Sequence, residues 1–100
     1  MDMQTDKASN ARKHSDLSLA LAAQVRAEMG AARLSTRALA RASGVPERTL
    51  ARLISGERTI DVAQLDMLCR ALDVPIPTMM ERTYKRMEST PADQLRVAGE

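Results

Sequence analysis

The sequence predicts an all-α domain of five helices, and three observations point there. Its 100 residues are rich in the helix formers Ala, Leu, Arg and Met and hold no run of β-branched residues. Its apolar residues recur three and four apart, the spacing of one helix face, instead of alternating as in a strand. Capping signals, with Ser or Asp ahead of an apolar run and Gly behind it, cut the chain into helix-length pieces. There is one Tyr and no Phe or Trp, so the core must be built from Leu, Ala, Val, Ile and Met. Such a core is light, and modest stability is expected.

Residues 1–14, MDMQTDKASNARKH, carry no periodic apolar pattern and are expected to form a flexible N-terminal arm. Lys7, Arg12 and Lys13 would let that arm follow a DNA groove. A plain disordered tail would make no use of them. The first helix begins near Asp16, with Ser15 or Asp16 as its cap, and its buried stripe is Leu17, Leu21, Val25 and Met29.

Two short helices follow. Ser35 caps one over about 36–42, because its hydroxyl can accept from the free N–H groups of a first turn. Leu34 and Leu39 have the spacing of a hydrophobic staple. Gly44 ends the helix where the chain must turn left-handed. Val45 and Leu50 repeat the staple around Pro46, whose fixed φ suits a helix start. The next helix covers about 47–55, Gly56 closes it, and Glu57, Arg58 and Thr59 form a short loop. Two short helices on a tight turn make a helix-turn-helix, whose second helix reads DNA in proteins that bind it.

Asp61 and Gln64 then have the spacing of a capping box, with Ile60 and Leu65 as staple. The buried face of this fourth helix is read as Val62, Leu65, Leu68, Cys69 and Leu72. Asp73, Val74 and Pro75 end it, since a residue before proline leaves helical space. The fifth helix runs from about Ile76 to Glu88, with Ile76, Met79, Met80, Tyr84 and Met87 facing inward. The organisation expected is therefore an arm at 1–14, one domain at 15–88 and a flexible C-terminal tail at 89–100.

The net charge of +2 is unevenly placed. Between Arg33 and Arg58 stand six arginines (33, 37, 41, 48, 52 and 58) against two glutamates, so this stretch carries +4 and the remainder −2. A basic patch that coincides with a helix-turn-helix is the footprint expected for phosphate contacts.

These residues resemble the lambda-repressor-like (Cro/repressor, or XRE-type) helix-turn-helix family. The resemblance runs from about Ala22 to Met80. It is carried by Val25-Arg26-Ala27-Glu28, Leu34-Ser35, Leu39-Ala40, Ser43-Gly44-Val45, Leu50, Arg52-Leu53, Gly56, Leu65, Leu68, Ala71-Leu72 and Val74. It implies a compact five-helix domain that binds double-stranded DNA, with the start of the third helix in the major groove. Carried over position by position, Glu47, Arg48, Ala51 and Arg52 are the base-reading candidates. Arg48 and Arg52 lie four apart and share a face, and their guanidinium forks suit guanine O6 and N7 or phosphate. Glu47 can accept from a cytosine amino group or pair with an arginine and hold it; the sequence leaves both open. Ala51 leaves room for close approach or a thymine methyl. Thr36, Arg37, Arg41, Arg58 and Thr59 are the phosphate candidates. Thr36 stands where the family commonly has glutamine, and only the phosphate role suits the shorter side chain. Many members also pair an arginine of the first helix with a glutamate late in the third. The matching positions are read here as Met29 and Ile54, so both charges are expected to be absent and the two residues to touch.

The function implied is sequence-specific repression of transcription at an operator, as in a phage-type immunity repressor or a Cro-like switch protein. The alternative from another class is an antitoxin that binds a toxin and autoregulates its operon. A homodimer on DNA is compatible with the resemblance, and so is a monomer. No enzyme activity, cofactor or small-molecule ligand is expected, because no nucleophile–base pair, grouped carboxylates or phosphate-cradling glycine loop appears. A metal site is not expected either: His14 is the only histidine, and Cys69, the only cysteine, sits on an apolar helix face. No apolar run approaches the roughly 18 residues of a membrane span. A cytoplasmic protein, nucleoid-associated when on DNA, is the expectation.

Overall fold

A computed structural model describes residues 15–89, and all five elements there are helices. They are α1 (Asp16–Ala32), α2 (Thr36–Ser43), α3 (Glu47–Ile54), α4 (Val62–Leu72) and α5 (Ile76–Ser89). The arm expected at 1–14 and the tail from residue 90 onward lie outside the described residues. Ser89, assigned to the tail, is instead the last residue of α5.

Local capping chemistry sets the boundaries. Ser15, rather than Asp16, caps α1, its hydroxyl accepting from the Ser18 N–H at 3.2 Å. Ser35 caps α2 in the same way through Ala38 at 3.1 Å. Pro46 starts α3 without a side-chain cap. Asp61 and Gln64 close the full capping box on α4: the Gln64 N–H donates to Asp61 Oδ1 at 2.7 Å, and the Asp61 N–H to Gln64 Oε1 at 3.0 Å. Gly44 and Gly56 take φ of 87° after α2 and α3, as the turn chemistry requires. The end of α4 has a different cause from the one the sequence suggests. Asp73 itself turns left-handed, at φ 59°, before the proline can act.

α1 is buried around most of its circumference from Leu19 to Val25, and again at Met29. Its alanines let α5 approach closely along one side, while α3 and α4 cover another. Leu39, Leu50, Leu53, Leu68 and Met79 are fully enclosed at the centre, with Val25 and Val45 beside them. Leu17 is only half-buried; Leu19 and Ala20, with Met87 of α5, form a small second cluster near the start of α1.

Two residues read as core lie outside it. Val62 is 79% exposed. It occupies the first position of α4, where Ile60, entering as the staple, already fills the core. Tyr84 is 51% exposed, and Thr83 is buried in its place. From Met79 the inward position one turn on is residue 83, not 84. The threonine tolerates the core because its hydroxyl donates to the Met79 carbonyl at 2.8 Å.

Candidate nucleic-acid interface

The turn between α2 and α3 is pinned by Val45, 2% exposed, which anchors both helices to the core. α3 then buries Leu50 and Leu53. Helical spacing forces the opposite face outward, and Glu47, Arg48, Ala51 and Arg52 are all exposed there. On α2, burial of Leu39 and Ala40 leaves Arg37 and Arg41 exposed one turn apart, with Thr36 half-buried. A shallow groove runs between the two helices, lined by Arg37, Arg41, Gly44, Pro46 and Glu47.

The segment after α3 is tied back to that helix. The Gly56 N–H donates to the Leu53 carbonyl and the Arg58 N–H to the Arg52 carbonyl, at 3.2 and 3.1 Å. The Ser55 hydroxyl also donates to the Arg52 carbonyl, at 3.1 Å, and accepts from the Glu57 N–H at 3.3 Å. These bonds hold Arg58 beside the end of α3. Arg58 and Thr59 are both exposed.

Of the two roles open to Glu47, its contact in this structure is with an arginine. Its carboxylate lies 3.6 Å from Arg37 Nε across the turn. At 71% and 53% side-chain exposure the pair contributes little to stability, within about 1 kcal/mol. Its effect is on placement: Arg37, a phosphate candidate, and Glu47, a base-reading candidate, are held together.

The guanidinium partners divide sharply by location. Arg33, Arg41, Arg48, Arg52 and Arg58 make no side-chain hydrogen bond or ion pair among the described residues. Every described arginine outside this stretch has an acceptor. Arg26 donates to the Ile54 carbonyl. Arg70 pairs with Asp66 at 3.1 Å, Arg82 with Glu28 at 2.7 Å, and Arg86 donates to Gln24 at 2.9 Å.

A charge does link the first and third helices, from a position the expectation did not name: Arg26 of α1 reaches the end of α3 through its backbone. Its acceptor is a terminal backbone carbonyl, where a cation satisfies an otherwise open helix end. Burial lowers the Arg26 pKa, and the charge of Arg86 adds to that shift. Met29 and Ile54 join the same apolar cluster, Met29 buried and Ile54 at its margin.

A polar network between α1 and α5 has no signal in the sequence. Gln24, 8% exposed, donates to Glu28 at 2.8 Å and accepts from Arg86, while Glu28 accepts from Arg82. Burial alone would raise the Glu28 carboxyl. Hydrogen bonds from Arg82 and Gln24, with the charges of Arg82 and Arg86, outweigh it and leave the pKa lowered. The partners are 54 and 62 residues apart, beyond any local pattern.

Cys69 is 3% exposed, and burial, then Asp66 and Glu28, push its thiol pKa up, which suits a packing role and not a nucleophile. Among the described residues no three His, Cys, Asp or Glu side chains gather as a metal site. No described helix is long and apolar enough to cross a membrane.

The family model for the Cro/C1-type helix-turn-helix DNA-binding domain matches residues 24–84. No curated protein and no solved structure matches the chain.

Proposed function

The chain belongs to the Cro/C1-type helix-turn-helix DNA-binding family, and we propose that it is a transcriptional repressor that acts by occupying an operator. The observation that carries this reading is the set of unpaired guanidiniums on α2, α3 and the loop after α3. An arginine with no acceptor in its own fold is available to phosphate or guanine.

In this reading Arg48, Ala51 and Arg52 meet base edges in the major groove, and Glu47 orients Arg37 or accepts from cytosine. Arg37, Arg41 and Arg58 take phosphates, with Thr36 and Thr59 at the edges of the interface. Phosphate contacts set position and affinity, and base contacts set sequence. Two copies would occupy a near-palindrome with half-site centres about 34 Å apart, one turn of the duplex.

Selection of bound duplexes from a random pool tests the reading directly. The expected result is one enriched sequence whose symmetry and half-site spacing report how many copies bind. Repression of a reporter carrying that sequence downstream of its promoter completes the test. A pool that shows retention without enrichment would leave a non-specific DNA binder, and the operator reading would fail.

A further inference from the structure

We infer that Arg33 is a further phosphate contact, outside the helix-turn-helix proper, at the junction of α1 and α2. The inference rests on the reading of the α2–α3 face as a DNA surface and extends it by one residue.

Four described residues have positive φ: Arg33 at 58°, Asp73 at 59°, and Gly44 and Gly56 at 87°. Glycine enters this region freely, and the short polar side chain of aspartate tolerates it. Arginine has neither excuse. Arg33 and Asp73 end α1 and α4 with the same motif. The Arg33 N–H donates to the Gly30 carbonyl at 3.1 Å and that of Leu34 to Met29 at 2.9 Å. The Asp73 N–H donates to Arg70 at 3.2 Å and that of Val74 to Cys69 at 3.0 Å. Glycine would make the same backbone bonds with less strain. The turn therefore does not call for the side chain at 33. An unexplained left-handed residue points toward a role beyond the fold.

Its surroundings say which role. Arg33 is exposed, and its guanidinium has no partner among the described residues. It stands three residues before Thr36, so the two Cα atoms are at most about 11 Å apart by chain length alone. Arg33 thus brings one more cation within that distance of the first residue of α2, the helix that carries Arg37 and Arg41. The guanidinium fork fits two phosphate oxygens at once.

A purely structural role is the competing account. α1 has no basic residue in its last turn, and a cation there would favour the helix dipole. α4 ends in the same geometry on Asp73, of the opposite sign, and carries its last-turn cation at Arg70 instead. The turn itself therefore needs no cation at the left-handed position, and the dipole account is left to the melting temperature.

Salt titrations of binding to a short mixed-sequence duplex, with thermal melts, separate the two accounts for Arg33→Gly, Arg33→Lys and Asp73→Gly. Arg33→Gly should lower the log–log salt slope by about 0.9, with a melting temperature unchanged or raised. Arg33→Lys should keep the slope, because the charge remains. Asp73→Gly should also keep it. Arg33→Gly with a wild-type slope overturns the inference, and a fall in melting temperature alongside would make Arg33 the terminal cation of α1. If the wild-type protein itself shows no duplex binding, the operator reading falls first and this one with it.

Discussion

The seam between α1 and α5 and the outer face of α2 and α3 use the same side chain in opposite ways. At the seam, Gln24 and Glu28 stand one helical turn apart and offer oxygens to Arg82 and Arg86, so each guanidinium is tied to its own fold. On the α2–α3 face the acids in reach are Glu47 and Glu57, and of these Glu47 holds Arg37. The remaining arginines there have no partner in the described fold. Arginine content alone therefore says little about nucleic-acid binding. What separates the two regions is the supply of acceptors: an internal oxygen turns a guanidinium toward its own fold and, as a carboxylate, offsets its charge, which weakens its pull on a phosphate.

The largest expected effect tests where the interior ends and this polar margin begins. Met29 is 7% exposed, and Met29→Arg places an uncompensated charge in the core, at a cost of about 3–5 kcal/mol in urea unfolding. Ile54→Glu should cost within about 1 kcal/mol, since position 54 is half-buried and Arg26 already reaches its backbone. Equal losses for the two variants would mean that Arg26 is not available to position 54.

Next in size is base reading. Arg48→Ala and Arg52→Ala should each weaken binding to the selected site by about 1–3 kcal/mol and relax preference at one or two base pairs. The melting temperature should stay within about a degree or two, because neither side chain packs against the fold. Unaltered affinity and preference in both variants would remove α3 from the groove.

The seam has its own signature, in pH. The folded pKa of Glu28 lies below its ordinary value of 4.5. Its stabilisation is therefore fully present above 4.5 and is lost as pH falls through the lower folded value. Glu28→Gln should cost about 1 kcal/mol at neutral pH, reduced from the usual worth of a charge-assisted bond because Arg82 is half-exposed. It should also flatten the acid side of the melting-temperature profile below pH 4.5. An unchanged acid slope would show that the seam does not depend on this carboxylate.

The two regions also differ in how far the sequence discloses them. Caps at Ser35 and Asp61, the turn at Gly44 and Val45, and the exposed set Glu47, Arg48, Ala51 and Arg52 follow from spacings of two to five residues, and they are legible. The α5 register is not, because Tyr84 is the larger apolar group and Thr83 hides its polarity by bonding its own helix. Val62 is misread because a fixed stripe does not say where the neighbouring helices stop. The Arg26 bond to Ile54 escapes because its acceptor is a backbone carbonyl, which no residue type announces. Pairing with an arginine is one of two roles the sequence leaves open to Glu47, and only the packing of α2 against α3 brings it to Arg37.

The smallest effects measure the comparison most finely. Arg41→Ala and Arg58→Ala should each weaken specific and non-specific binding alike and lower the log–log salt slope by about 0.9, the value of one phosphate left unneutralised. Arg37→Ala should lower it by less, because Glu47 already offsets that guanidinium. Arg70→Ala removes the same charge from a residue held by Asp66 on α4, and it should leave that slope unchanged. Among the three, Arg37→Ala should stand apart. It frees the Glu47 carboxylate, so repulsion from DNA adds to the missing cation, and Arg37→Ala combined with Glu47→Gln should recover part of the affinity. A recovery seen with Arg41→Ala as well would show that Glu47 acts through overall charge and not through its pairing. If Arg70→Ala changed the slope as much as Arg41→Ala, an internal partner would not withdraw a guanidinium from DNA, and the contrast between the two regions would lose its physical basis.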